Sequence, residues 1–157
     1  MPGEPTYRNE SSESPKLSVV VPVFNERESL VELAGEIDAS LTQAGISYEA
    51  ILVDDGSTDG SWDVITDIHR NDDRFDGIRF RRNYGKSAAL SVGFKAARGE
   101  YVATLDGDLQ DDPAELPKML ITLESGYDLV SGWKRKRRDP ISTKVPSRFF
   151  NFVTRTI

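Results

Sequence analysis

The chain has 157 residues, no cysteine, one histidine (His69) and a formal net charge of −6. That length suits one domain with a real core. The missing cysteines exclude disulfides and thiolate metal sites, and a lone histidine excludes His-rich metal sites and argues against a His-based catalytic triad.

In chain order, residues 1–15 (MPGEPTYRNESSESP) form a polar, Pro/Ser/Glu-rich leader that cannot bury enough surface to fold. It lacks the apolar core of a secretory signal. No later run approaches the roughly 20 apolar residues that span a bilayer. KLSVVVPVF is rich in β-branched residues, as in a strand buried on both faces. Leu30, Leu33, Ala34, Ile37 and Leu41 then repeat at helical spacing up to Gly45. YEAILVDD predicts a second strand, and Asp59 is placed to cap a helix carrying Trp62, Ile65 and Ile68. GIRFRR predicts a shorter strand, and GKSAALSVGFKAA a small-residue helix that stops at Gly99.

EYVATLD predicts the next strand, after which Pro113 opens a helix with Leu116, Met119, Leu120 and Leu123 on one face. YDLVSG predicts a last buried strand, and SRFFNFVTRTI a closing helix. Alternating strands and helices predict an α/β domain, with a mainly parallel sheet and helices on both faces. In such sheets ligands bind beyond the carboxyl ends of the strands. Asn25-Glu26, Asp54-Asp55, Asn83 to Lys86 and Asp106 to Gln110 are therefore expected along one rim.

Counting removes several phosphate and metal motifs. NYGKS contains Gly-Lys-Ser, but the glycine a P-loop needs five residues before Gly85 is Phe80. No G-x-G-x-x-G is present. An EF-hand starting at Asp106 would need glycine at Asp111 and glutamate at Pro117, and one starting at Asp54 would need glutamate at Ile65. What remains is Asp106-Gly107-Asp108 with Gln110 close behind. Two carboxylates around one glycine can converge on a hard divalent cation, and Mg²⁺ is commonly held by one or two carboxylates plus substrate phosphates. A solvated Asp/Gly turn is the plain alternative. The acidic pair Asp54-Asp55 at a neighbouring strand end tips the reading toward metal or nucleotide.

VVVPVFNERESL, ILVDDGSTDGS, RNYGKSAAL and ATLDGDLQDDP, in this order, resemble the family-2 glycosyltransferases of Rossmann-like GT-A fold. SGWKRKRRDP and PSRFFN are similar to the subgroup that transfers sugar to a polyprenyl phosphate, as dolichol-phosphate mannose synthases do. The resemblance runs from about Lys16 to the chain end and implies a nucleotide-sugar-binding domain over 16–132. It implies that Pro22, Phe24, Asn25 and Glu26 flank the base and ribose, and that Asp54, with Asp55 beside it, meets the base edge. It implies that Asp106 lies by the ribose and metal, and that Asp108 and Gln110, with Asp106, hold Mg²⁺ or Mn²⁺. Lys86 and Arg137 would contact the diphosphate. The implied reaction is inverting transfer from a UDP- or GDP-linked sugar to a dolichyl or undecaprenyl phosphate, with Asp106 and Asp108 as the catalytic pair. A saccharide acceptor, or a non-catalytic nucleotide- or membrane-binding module, are the alternatives. The sugar, the base and the oligomeric state stay open.

The charge is unevenly placed. From Trp133 onward eight Lys/Arg face one acid, giving +7, and the preceding 132 residues carry −13. Residues 133–157 read as a basic loop and an amphipathic helix with Phe149, Phe150, Val153 and Ile157 on one face, while Lys144, Arg148 and Arg155 can meet phosphate. Each basic residue near an anionic leaflet contributes about 1 kcal/mol, so an anionic membrane surface is the expected partner, with a core-facing helix whose basic neighbours are solvated as the alternative. The expected location is cytoplasmic, at the inner face of a membrane. The acidic body opposes nucleic acid. The helical pattern ends without a stop signal, which reads as a truncated chain impaired in transfer.

Overall fold

The computed structural model describes residues 14–132 and, as backbone, the strand at 152–155. Four strands run parallel: β1 (Leu17–Val23), β2 (Tyr48–Asp54), β3 (Phe75–Arg79) and β4 (Tyr101–Thr104). Helices α1 (Leu30–Gln43), α2 (Ser61–Asn71) and α3 (Lys86–Ala96) join them, and a 3₁₀ turn (Pro113–Glu115) leads into α4 (Leu116–Glu124). Strands β5 (Leu129–Ser131) and β6 (Phe152–Arg155) complete the sheet in the order β3-β2-β1-β4-β6-β5. The chain winds outward from β1 to β3 and then crosses back to β4. Strands β1 and β4 therefore flank the switch point, where a doubly wound sheet opens a crevice.

The strands are apolar without alternation because both faces are covered. Leu17, Val19, Val21 and Val23 of β1 join Leu30, Leu33, Ile37 and Leu41 of α1, Ile65 of α2, and Leu116, Leu120 and Leu123 of α4 in one core. The opposite face carries Ile51, Val53 and Ala89 of α3. There α3 lies so close to β1 that a Cβ on Gly93 would sit 2.3 Å from Val20 Cγ1. The sequence expectations for α1, α2, α3 and the first four strands hold, except that β3 starts at Phe75, ahead of the GIRFRR stretch.

Two expectations fail. YDLVSG does not make a buried strand: β5 is the sheet edge, with a single neighbour in β6, and Leu129 is 56% exposed. The closing helix is contradicted at Phe152–Arg155, which form a strand antiparallel to both β4 and β5. Val153 and Thr154 are β-branched, and beyond β1 the backbone groups of β4 need a partner that a helix could not supply. Arg137, Lys144, Arg148, Phe149, Phe150 and Ile157 lie outside the described residues.

Candidate functional site

The site is built from four segments at the carboxyl ends of the parallel strands. After β1, Asn25 turns the chain at φ +56; its N–H donates to Ser57 Oγ (2.9 Å), and its side-chain oxygen accepts from the Thr58 N–H (2.9 Å). That exchange ties the β1–α1 loop to the β2–α2 loop. The Glu26 N–H donates to Ser61 Oγ (3.1 Å), and Asp59 accepts from the Arg27 N–H (3.1 Å) and the Ser61 N–H (2.9 Å). Asp59 thus caps α2 from the residue before the Gly60 position.

After β2, the two adjacent acids part company, as strand geometry requires. Asp54 is completely buried; one carboxylate oxygen accepts from the Ser57 N–H (2.9 Å), and the other accepts no hydrogen bond, with Arg79 Nε 3.6 Å away. Asp55 turns toward the β3–α3 loop and accepts the N–H groups of Tyr84 (2.7 Å) and Gly85 (2.9 Å). Gly56 sits against that same loop, where a Cβ would lie 2.4 Å from the Arg82 carbonyl carbon. Only glycine fits there, at φ +74.

After β4, Asp106 faces Lys86, and its carboxylate is paired with the Lys86 ammonium. Its N–H donates to the buried carboxylate of Asp111 (2.8 Å). Leu109 takes φ +60, a costly conformation for a branched side chain, and turns the loop back. Asp108 is exposed and accepts from the Gln110 N–H (3.1 Å). Ser29, in the first turn before α1, places its hydroxyl 2.5 Å from the Gly107 carbonyl and 2.9 Å from that of Glu26, joining the β1 and β4 ends.

Between these segments lies a cleft of about 290 Å³. Pro22, Phe24, Glu26, Asp55, Lys86, Asp106 and Asp108 line it, as the sequence leads one to expect, together with Val23, Asn83, Gly85 and Gly107. Three expected residues are not in its wall. Asp54 is fully buried, Asn25 is used in tying loops, and Gln110, exposed, is not among the lining residues. Ser29 and Asp111 lie within the family motifs but carry no role legible in the sequence; Asp111 acts within its own loop, whereas Ser29 reaches a loop 78 residues away.

The electrostatics are dominated by acids. The Glu26 carboxyl is held above its usual range, chiefly by burial and then by the charge of Asp108. Among the described residues no three His, Asp or Glu side chains converge as a ready-made metal cage. Still, the donor set fits a hard divalent cation: carboxylate oxygens of Asp106 and Asp108 at the cleft mouth, with an ammonium now standing against one of them. The remaining ligands would come from phosphate and water, the usual pattern for Mg²⁺.

Relatives share this frame. A protein of Aeromonas hydrophila named undecaprenyl-phosphate 4-deoxy-4-formamido-L-arabinose transferase is 41% identical over 86% of this chain and 42% of its own length. A protein of that name from Proteus mirabilis is 42% identical over 87% of the chain and 42% of its own. The chain thus spans about two fifths of the length of these relatives. Among solved structures, the Pyrobaculum calidifontis mannosyltransferase in complex with GDP-Man and Mn²⁺ superposes with a TM-score of 0.68 at 25% identity, over 79% of this chain and 37% of that one. Staphylococcus aureus TarS in complex with UDP-GlcNAc gives 0.60 at 25% identity, over 73% and 33%. Residues 18–156 match Glycosyl transferase family 2, and the chain belongs to that family.

Proposed function

We propose that the chain is the donor-binding part of an inverting glycosyltransferase that moves a sugar from a nucleoside-diphosphate sugar to a polyprenyl phosphate. The observation that carries this reading is the Asp106-Gly107-Asp108 turn facing Lys86 across a cleft at the β1/β4 switch point. The relatives named for undecaprenyl-phosphate transfer support the acceptor class, and the neighbours with GDP-Man and UDP-GlcNAc support the donor class.

In this reading Pro22 and Phe24 pack on the base and ribose, and Asp55 shapes their floor by fixing the Tyr84–Gly85 backbone. Asp54, behind the wall, reaches the base edge only if that wall yields. Asp106 and Asp108, with Gln110 beside them, would hold Mg²⁺ or Mn²⁺; Asn25 would contribute through its loop. A bound divalent cation supplies charge neutralisation on the departing diphosphate. Lys86, and Arg137 from the basic stretch, would add fixed positive charge there.

The acceptor phosphate oxygen attacks the anomeric carbon on the face opposite the diphosphate. One C–O bond forms as the other breaks, the configuration inverts, and the nucleoside diphosphate leaves with the electron pair. A phosphate monoester is already anionic at neutral pH, so no strong base is needed, and none of the cleft residues is a histidine. No described helix is long and apolar enough to cross a membrane. The basic segment from Lys134 would hold the protein against the anionic cytoplasmic face of a bilayer.

The test is a panel of UDP- and GDP-linked sugars, assayed for binding with Mn²⁺ and for transfer to undecaprenyl or dolichyl phosphate against oligosaccharide acceptors. Metal-dependent binding of one donor class, with transfer to lipid phosphate, is expected. Transfer to oligosaccharides alone would replace the acceptor, and no nucleotide binding would overturn the reading.

A further inference from the structure

Lys86 occupies the first turn of α3, where no acid is present and a cation opposes the helix dipole. Its position therefore serves the cleft and not the helix. The ammonium is paired with Asp106, and the loops on both sides hold that pairing in place. On the lysine side, the Tyr84 and Gly85 amides are gripped by Asp55, and Gly56 backs against Arg82 with no space for a Cβ. On the aspartate side, the Asp106 amide is gripped by Asp111, and Ser29 contacts the Gly107 carbonyl. The two side chains meet because both backbones are fixed, with about a third of the lysine side chain (32%) and a quarter of the aspartate (26%) exposed.

A carboxylate cannot serve an ammonium and a divalent cation at full strength together, because the two cations repel at that range. We propose that Lys86 is the residue that couples metal binding to nucleotide binding in this cleft. It neutralises Asp106 while the cleft holds no nucleotide, and it transfers to the phosphate oxygens when a nucleoside diphosphate arrives with its cation, releasing Asp106 to the ion. The coupling rests on the donor-site reading above but goes beyond it. Metal alone must displace an ammonium and binds weakly. Metal and nucleoside diphosphate bind together, each strengthening the other by the same factor. A free divalent ion then has to displace the ammonium unaided, which keeps it from occupying the site unproductively.

The test is calorimetric titration of MnCl₂ into the chain, alone and with UDP or GDP, for the wild type, Lys86→Gln and Lys86→Arg. The partly exposed position makes both variants compatible with folding, which circular dichroism checks. Removing the internal cation is expected to tighten Mn²⁺ binding without nucleotide by about tenfold, and to weaken nucleotide binding with Mn²⁺ by a similar factor. Lys86→Arg keeps the charge and is expected to keep the wild-type order of affinities. Mn²⁺ affinity unchanged or reduced in Lys86→Gln, with nucleotide still bound by the wild type, overturns the coupling and leaves the donor site standing. Failure of the wild type to bind either nucleotide with metal overturns both.

Discussion

The two ends of the parallel strands handle buried charge in opposite ways. At the amino ends, Glu49 and several neighbouring acids are paired with donors of the protein itself. Glu49 accepts from Ser18 Oγ (2.7 Å), from the Arg98 N–H (2.7 Å) and from the Arg98 guanidinium (2.6 and 2.8 Å). Lys16 bridges Glu124 (2.7 Å) and Glu100 (3.0 Å) and lies over the Tyr101 ring. Arg74 joins Asp72 (2.6 Å) to Asp38 (2.8 Å) across the ends of α1 and α2. At the carboxyl ends, Glu26, Asp55, Asp106 and Asp108 share one cleft, and among the described residues Lys86 is the cation in its wall. A closed network stabilises a fold. An acidic excess held on fixed loops costs stability unless a ligand completes it, and that asymmetry marks the functional end.

Breaking the amino-end network should show the largest effect on folding. Glu49→Ala removes the acceptor of the buried Ser18 hydroxyl and of the Arg98 N–H and frees the half-exposed Arg98 guanidinium; a loss of about 2 kcal/mol is expected in urea unfolding. Nucleotide binding per folded molecule should not change. At the other end, Asp108→Asn should reverse the pattern. Metal-assisted nucleotide affinity is expected to fall by about 10- to 100-fold in calorimetry, with the unfolding midpoint unchanged or raised.

How much of this could be read beforehand depends on range. The core faces of α1 and of the parallel strands follow from local periodicity, so Leu30, Leu33, Ile37 and Leu41 were legible. The acidic turn at Asp106 to Asp108 was legible too, because its residue types and spacing are contiguous. Strand β6 was not. Phe149, Val153 and Ile157 fall at helical spacing, whereas the partner that sets the conformation of residues 152–155 is β4, some fifty positions away. The pair Asp54-Asp55 looked like one feature, but strand alternation sends the first inward and the second to a neighbouring loop. Asp111 and Ser29 sit inside the family motifs, but their roles were not legible because their partners are backbone groups, which leave no residue signature.

The pH dependence should sharpen the contrast between the ends. Asp72 is held below its usual range by hydrogen bonds from Arg74, so its contribution is present above about pH 3.8 and is lost as pH falls through the lower folded value. Asp72→Asn should remove that part of the acid slope in unfolding free energy. Glu26 has the opposite sign. Its folded value lies above 4.5, so its favourable contribution is complete only below that pH and disappears as pH rises. Glu26→Gln should therefore raise the melting temperature slightly at neutral pH and leave it unchanged in acid. The smallest effect is expected from Glu124→Gln, which breaks one half-exposed contact to Lys16 and should cost less than about 1 kcal/mol.

The central claim is that the acidic excess at the cleft is completed by a divalent cation carried with a nucleoside diphosphate. The most direct measurement is anomalous diffraction from crystals of the chain grown with Mn²⁺ and UDP or GDP. A manganese peak is expected between the Asp106 and Asp108 carboxylates and the diphosphate, with the Lys86 ammonium moved onto phosphate oxygen. A nucleotide bound in the cleft with no metal beside those two carboxylates would contradict it.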